Sequence, residues 1–224
     1  MIKNISNLGD AALYCDFGTE VNRETNTKVI EYFKSIKKEN INGVNNLTPS
    51  YNKLIISFDL KKIIYQKIKK IIENIDIDKH DNLNNKKIEI PVCSDQSFSL
   101  DIKRLEKKLK LSSEKIYENF FNKEFFCYMT GFIAGMPFLG DLDNNIRAKR
   151  LETPRVKVPK GSVGLTEQFA NIYTFESPGG WNIIGNTPLN IFDSSKEKNP
   201  NLINPGDTVI FKRITKDKYE NYNE

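Results

Sequence analysis

From residue 125 to residue 214 the chain is a series of short β-prone runs: "FFCYMTGFIAGMPFLGDL", "RVKVPKGSVGL", "NIYTF", "WNIIGN", "LNIFD" and "DTVIFKRI". Each is cut off by glycine, proline, asparagine or aspartate, which is the signature of a β-barrel or sandwich. Turn chemistry accounts for most glycines and prolines here. In "SPGGWNIIGNTP" proline holds φ near the value a first corner needs, and glycine takes φ > 0 without steric cost. That tight turn presents Trp181, the only tryptophan of the chain, at a defined place. An indole so placed walls a cleft, anchors a partner or fills core volume.

The first half has a different texture. "AALYCDF" alternates Ala11, Leu13, Cys15 and Phe17 on one face, as a half-buried strand does. "NTKVIEYFKSIKKEN" sets Val29, Phe33 and Ile36 on one helical face, and "KLIISFD" is a second strand after the turn signal "TPS". "DLKKIIYQKIKKIIENI", residues 59 to 75, spaces isoleucines at 64, 68, 71, 72 and 75 along an apolar stripe with a basic opposite face. "KIEIPV" then alternates Ile88, Ile90 and Val92. Strand, helix, strand, helix, strand predicts a small α+β domain. The polar stretch "DIDKHDNLNNKK" reads as a surface loop, so the expected division is an α+β sandwich domain over 1–86 and a barrel over 87–224. "SLDIKRLEKKLKLSSEKIYENFFN" predicts two short amphipathic helices, with Ser99 and Ser112 or Ser113 as N-caps.

Charge and rare residues exclude several functions. Lysine and arginine number 34 against 29 acids, a surplus of +5, which is no nucleic-acid footprint. The start of the chain lacks a signal-peptide pattern and no run of apolar residues spans a membrane, so a cytoplasmic protein without a membrane partner is expected. Three widely spaced cysteines, Cys15, Cys93 and Cys127, suggest neither a disulfide framework nor a metal site. His80 is the only histidine. Any Ser-His-Asp or Cys-His mechanism run by this chain would need it as the base, and a zinc site could draw one imidazole. It sits in the polar loop, as a solvated histidine would. No GxxxxGK[ST] loop is present for nucleotide phosphates.

The succession GDAAL, TPSY, IEIPV, GF, PFLGDL, TPRVKVPKGSVGL, IY, SPGGW, IGNTP, FD and PGDTVIF resembles the carboxyltransferase-domain family that contains the 5-oxoprolinase B subunit, also called allophanate hydrolase subunit 1 or KipI. It runs from Gly9 to Phe211, and the order of TPR, VPxGSV, SPGGW and PGDxVxF carries most of its specificity. The resemblance implies an N-terminal α+β domain followed by a cyclophilin-like β-barrel, acting beside a homologous barrel protein, the C subunit. With the A subunit, such an assembly opens 5-oxo-L-proline to L-glutamate using ATP held by a partner. Two other outcomes share the scaffold: a carboxyltransferase half that receives a carboxyl group from biotin on another protein, as in urea carboxylase, and a KipI-like inhibitor of a histidine kinase.

The same resemblance implies a substrate or partner site. Arg150 and Arg155 stand where the family has paired arginines, suited to gripping a carboxylate in two-pronged fashion or to tying a loop to the barrel. Ser162, Gln168, Tyr173 and Ser177 add hydroxyl and amide groups, Gly179 and Gly180 allow close approach, and Trp181 supplies an apolar wall. Gly131, Phe132, Pro137, Phe138, Leu139 and Gly140 are expected at the cleft border. The chain departs from the family in two places. Asn119 or Phe120 stands near the position of a family histidine, and Ala134 and Met136 replace a proline and an aromatic of GFxPGFxYL.

Overall fold

The computed structural model describes residues 1–77 and 85–222. The chain is mixed α and β and forms two compact units, Met1–Asn84 and Asn85–Glu224. His80 lies outside the described residues.

The first unit is a four-stranded antiparallel sheet with two helices. Its strands are β1 (Asn4–Asn7) and β2 (Ala12–Asp16), then, after helix α1 (Arg23–Glu39), β3 (Val44–Pro49) and β4 (Lys53–Phe58), in the order β1-β2-β4-β3. The central strands carry the alternation that identifies them: Leu13, Cys15, Leu54, Ile56 and Phe58 are buried. The edge strands, "NISN" and "VNNLTP", have no such pattern, so nothing local in the sequence marks them. Asn22 caps α1 by accepting from the Thr25 N–H, and Asn40 ends it in a left-handed conformation. Val29 and Ile36 are buried on the inner stripe, each stabilising by roughly 1.5–3 kcal/mol. Asn26, buried on the same helix, donates to the carbonyls of Ser50 and Tyr51 and ties α1 to the β3–β4 turn.

The lysine-isoleucine segment forms a shorter helix than its spacing suggests, α2 (Tyr65–Glu73). The Asp59 carboxylate accepts from the Lys61 N–H and its carbonyl accepts from Lys62 and Ile63. That turn buries Ile63 and leaves Ile64 exposed at the N-cap, while Ile68 and Ile72 face the core. No helix among the described residues is long and apolar enough to cross a membrane.

The second unit opens with β5 (Lys87–Cys93), followed by α3 (Ile102–Leu109), α4 (Ser113–Phe121), β6 (Glu124–Thr130), β7 (Pro137–Gly140), β8 (Arg155–Val158), β9 (Ser162–Thr166), β10 (Phe169–Ile172), β11 (Ser177–Gly179), β12 (Asn182–Asn186), β13 (Thr208–Ile214) and α5 (Lys216–Glu220). Seven of these strands close into a barrel in the order β10-β7-β6-β13-β5-β12-β9, and β8 and β11 form a separate two-stranded ribbon. The "KIEIPV" run therefore does not complete the first unit's sheet. It pairs in parallel with β13, joining the two ends of the barrel sequence, a long-range pairing that no local pattern reveals.

One apolar core includes Ile90, Val92, Phe125, Cys127, Leu139, Val163, Leu165, Ile172, Val209 and Phe211 from the strands and Leu105, Ile116 and Phe120 from the helices. Phe120 stacks on Phe211 and lies against Phe125, each at 5.0 Å between centroids. Phe120, one of the two residues near the position of the family histidine, is thus a core packing residue. Ser112 caps α4 as its sequence suggests. Ser99 caps nothing: its hydroxyl donates to the Ile184 carbonyl, and Asp101 occupies the N-cap position of α3 without a side-chain cap bond.

Candidate functional site

Side chains alternate across a strand, so residues next to the barrel's inner row point outward. Phe138, Asn171, Gly164 and Ile183 pair in one continuous register across β7, β10, β9 and β12. Their neighbours Leu139, Ala170, Leu165 and Ile184 belong to the inner core, so this row lies on the outer wall. Ile183 of this row belongs to a second, small cluster with Met136, Val158 and Tyr173, and Phe138 of the row packs against it together with Ile133. Trp181 meets Phe138 edge-on at 5.6 Å. The sole indole is thus half-buried on the outer face of the barrel, not among its core residues.

Two glycines make room for two polar side chains. A Cβ on Gly164 would stand 2.7 Å from Asn171 Oδ1 and 3.1 Å from the Trp181 Cβ. A Cβ on Gly179 would stand 2.1 Å from the Tyr173 hydroxyl. Neither glycine has a positive φ, so the requirement is space and not backbone conformation.

Arg155 is the cross-strand partner of Gly179 in the ribbon. Its Nη2 donates to Asp101 Oδ1 at 2.6 Å, and the Asp101 side chain is 4% exposed against 27% for Arg155. The other carboxylate oxygen, Oδ2, accepts from the Ile183 N–H at 2.7 Å, and the Asp101 N–H donates back to the Ile183 carbonyl. Asp101 is in this way fastened to β12 and holds one edge of the guanidinium. Beside it, Arg104 donates to Asn182 Oδ1, while Asn182 Nδ2 donates to the carbonyls of Lys149 and Leu165. Three enclosed polar atoms of this face make no hydrogen bond within the described residues: Arg155 Nη1, Asn171 Oδ1 and Ser177 Oγ. Buried polar atoms are normally satisfied, so such a group needs a reason.

Tyr173 stands among these groups. Burial raises its phenol pKa above the ordinary value, while the Asn171 side chain, the Trp181 backbone N–H and the Arg155 charge pull the other way and Asp101 adds to the rise. The phenol stays protonated and offers one donor and one acceptor at neutral pH. Arg155, Tyr173, Asn171, Ser177 and Trp181 together supply donors, an amide acceptor and an apolar wall.

The remaining sequence candidates are dispersed around this cluster. Gly180 lies 3.6–3.7 Å, measured from a built Cβ, from Pro154 and Leu151, and its carbonyl accepts from the Leu151 N–H. Arg150, beside Leu151, is exposed. Ser162 is buried on β9, and its carbonyl accepts from the Tyr173 N–H. Gln168 sits in the β9–β10 turn, at the far end of β10 from Tyr173, with its carbonyl taken by the Leu142 N–H. Gly131 closes a turn onto the Met136 carbonyl, Phe132 is 73% exposed, Pro137 is buried at the start of β7, and Gly140 is overlaid by Tyr128, whose hydroxyl donates to Asp141. Asp101, Asn171 and Gly164 were not among the sequence candidates. Asp101 read as part of a helix start. A polar Asn171 between apolar Ala170 and Ile172 is a signal that alternation could have supplied.

The model of the carboxyltransferase domain, subdomain C and D, matches residues 3–203. The chain is 32% identical over 232 residues to the 5-oxoprolinase B subunit of Bacillus subtilis (strain 168), covering 98% of this chain and 96% of that protein. It is 30% identical over 213 residues to the protein of the same name from Haemophilus influenzae, covering 93% and 96%. Among solved structures, TTHA0988 superposes with a TM-score of 0.82 at 26% identity, over 91% of this chain and 40% of that one.

Proposed function

The chain belongs to the carboxyltransferase-domain family, and from that premise we propose that it is the B subunit of a 5-oxoprolinase, opening 5-oxo-L-proline to L-glutamate in an ATP-dependent complex with the A and C subunits. The observation that carries this reading is the end-to-end likeness to proteins bearing that name.

The chemistry of the outer-wall cluster supports a contribution by binding and orientation. Arg155, Tyr173, Ser177 and Asn171 are hydrogen-bonding groups suited to a polar amide, and Trp181 with Phe138 forms the apolar side of the same face. The thiols are poor nucleophiles: burial pushes Cys15 up to about 12 and raises Cys127 well beyond its ordinary value. ATP chemistry is assigned to the partner proteins, and this chain then has no turnover alone.

The test is reconstitution of the chain with its A and C counterparts, following glutamate release with and without ATP. ATP-dependent glutamate that requires all three proteins supports the proposal. Turnover by this chain alone, or turnover abolished by avidin, overturns it.

A further inference from the structure

Resting on that reading, we propose that the Arg155 subsite takes a neutral carbonyl, the lactam or urea-type end of a ligand, and not a carboxylate, because Asp101 already neutralises the guanidinium. The free edge of Arg155 is Nη1, enclosed and without a hydrogen-bond partner among the described residues. Its other edge carries the Asp101 carboxylate at 2.6 Å. Asp101 is buried and fastened to Ile183 through both its carboxylate and its backbone, so it cannot swing away when a ligand arrives. A ligand carboxylate on Nη1 would place two carboxylates on one guanidinium inside a partly desolvated site, where like charges repel far more strongly than in water. A carbonyl oxygen accepts the same hydrogen bond without that repulsion.

The neighbouring groups agree with this assignment. Asn171 Oδ1, fully buried and unpartnered, is an acceptor for an N–H, and the Ser177 hydroxyl is a further donor. Both are uncharged, as is the Tyr173 phenol. A lactam or a urea offers both a carbonyl oxygen and an N–H, the kinds of partner that Arg155 Nη1 and Asn171 Oδ1 lack, whereas a carboxylate has only acceptors. Asp101 is therefore a positioning residue that also sets the charge preference of the site.

The test is titration of the full chain, read by Trp181 fluorescence and ligand-observed NMR, with 2-pyrrolidinone, urea and cyclopentanecarboxylate, the last having the same ring size and a full charge. The expected result is that 2-pyrrolidinone binds at least about tenfold tighter than cyclopentanecarboxylate, that Arg155→Gln loses it, and that Asp101→Asn shifts the ratio at least about tenfold toward the carboxylate. Binding of urea alongside extends the ligand class to open-chain amides with the charge rule intact. Preference of the wild-type chain for the carboxylate, binding of neither ring compound, or an unchanged ratio in a folded Asp101→Asn protein overturns the proposal. If that variant does not fold, the wild-type ratio alone decides. The outcome is separable from glutamate release by the complex, which tests the proposed function on its own.

Discussion

Replacing Gly179 with alanine adds one methyl group where the structure has least room. The new Cβ would stand 2.1 Å from the Tyr173 hydroxyl oxygen, 2.7 Å from Cζ and 2.8 Å from Cε1, all inside van der Waals contact. Tyr173 is 1% exposed and cannot rotate into solvent, and Gly179 is paired to Arg155 in the ribbon, so either the ring or the strand must shift. Overpacking of this kind costs about 1–3 kcal/mol, and contact with a rigid ring places the expected loss near the top of that range. At about 2–4 °C per kcal/mol for a domain near 150 residues, Tm should fall by about 6–12 °C. Trp181 reports the event directly, since it is the only tryptophan and its backbone N–H faces the Tyr173 oxygen. Urea unfolding followed by its fluorescence measures the change. Tyr173→Phe removes the nearest atom but leaves Cζ at 2.7 Å, so the double variant should recover part of the loss, with a coupling of at least about 1 kcal/mol. A Gly179→Ala protein within about 0.5 kcal/mol of wild type, or losses that simply add, would refute the steric account.

Two further outcomes follow from protonation and burial. Cys15, Cys93 and Cys127 are all free and buried, so the native protein should give no rapid reaction with a thiol reagent at pH 8 and three equivalents in guanidinium chloride; a fast-reacting native thiol would contradict the packing. The Lys53 hydrogen bond, then the Gly18 N–H, lowers the Asp16 pKa, so its contribution is present above the ordinary carboxylate pKa and lost as pH falls through the depressed value. Because the pair is partly exposed, Asp16→Asn should cost no more than about 1 kcal/mol at pH 7, and the difference from wild type should disappear once the pH lies below the depressed value. A difference that persists there would show that the side chain acts by packing and not by charge.

Much of the fold was written in local pattern. Period-two alternation identified β2, a turn signal before a β-prone run identified β4, amphipathic spacing identified α1 and α4, and the punctuated runs after Phe125 announced a β-rich second half, because each of these signals belongs to a single element and its own turns. The edge strands escaped because water covers much of their surface and their asparagines carry no alternation. Tertiary structure alone decided that β5 closes the barrel against β13, across more than a hundred residues, since strand pairing depends on backbone groups that every sequence shares.

The cluster divides in the same way. Arg155, Tyr173, Ser177, Gly179 and Trp181 could be singled out from residue type and family resemblance, but Asp101 lies 54 residues before Arg155 in the chain, and nothing local links the two. Their meeting required the helix start, β12 and the ribbon to be in place together. An arginine's preference for charged or neutral ligands is set by the field of its neighbours, so it is a property of the folded site and not of the residue.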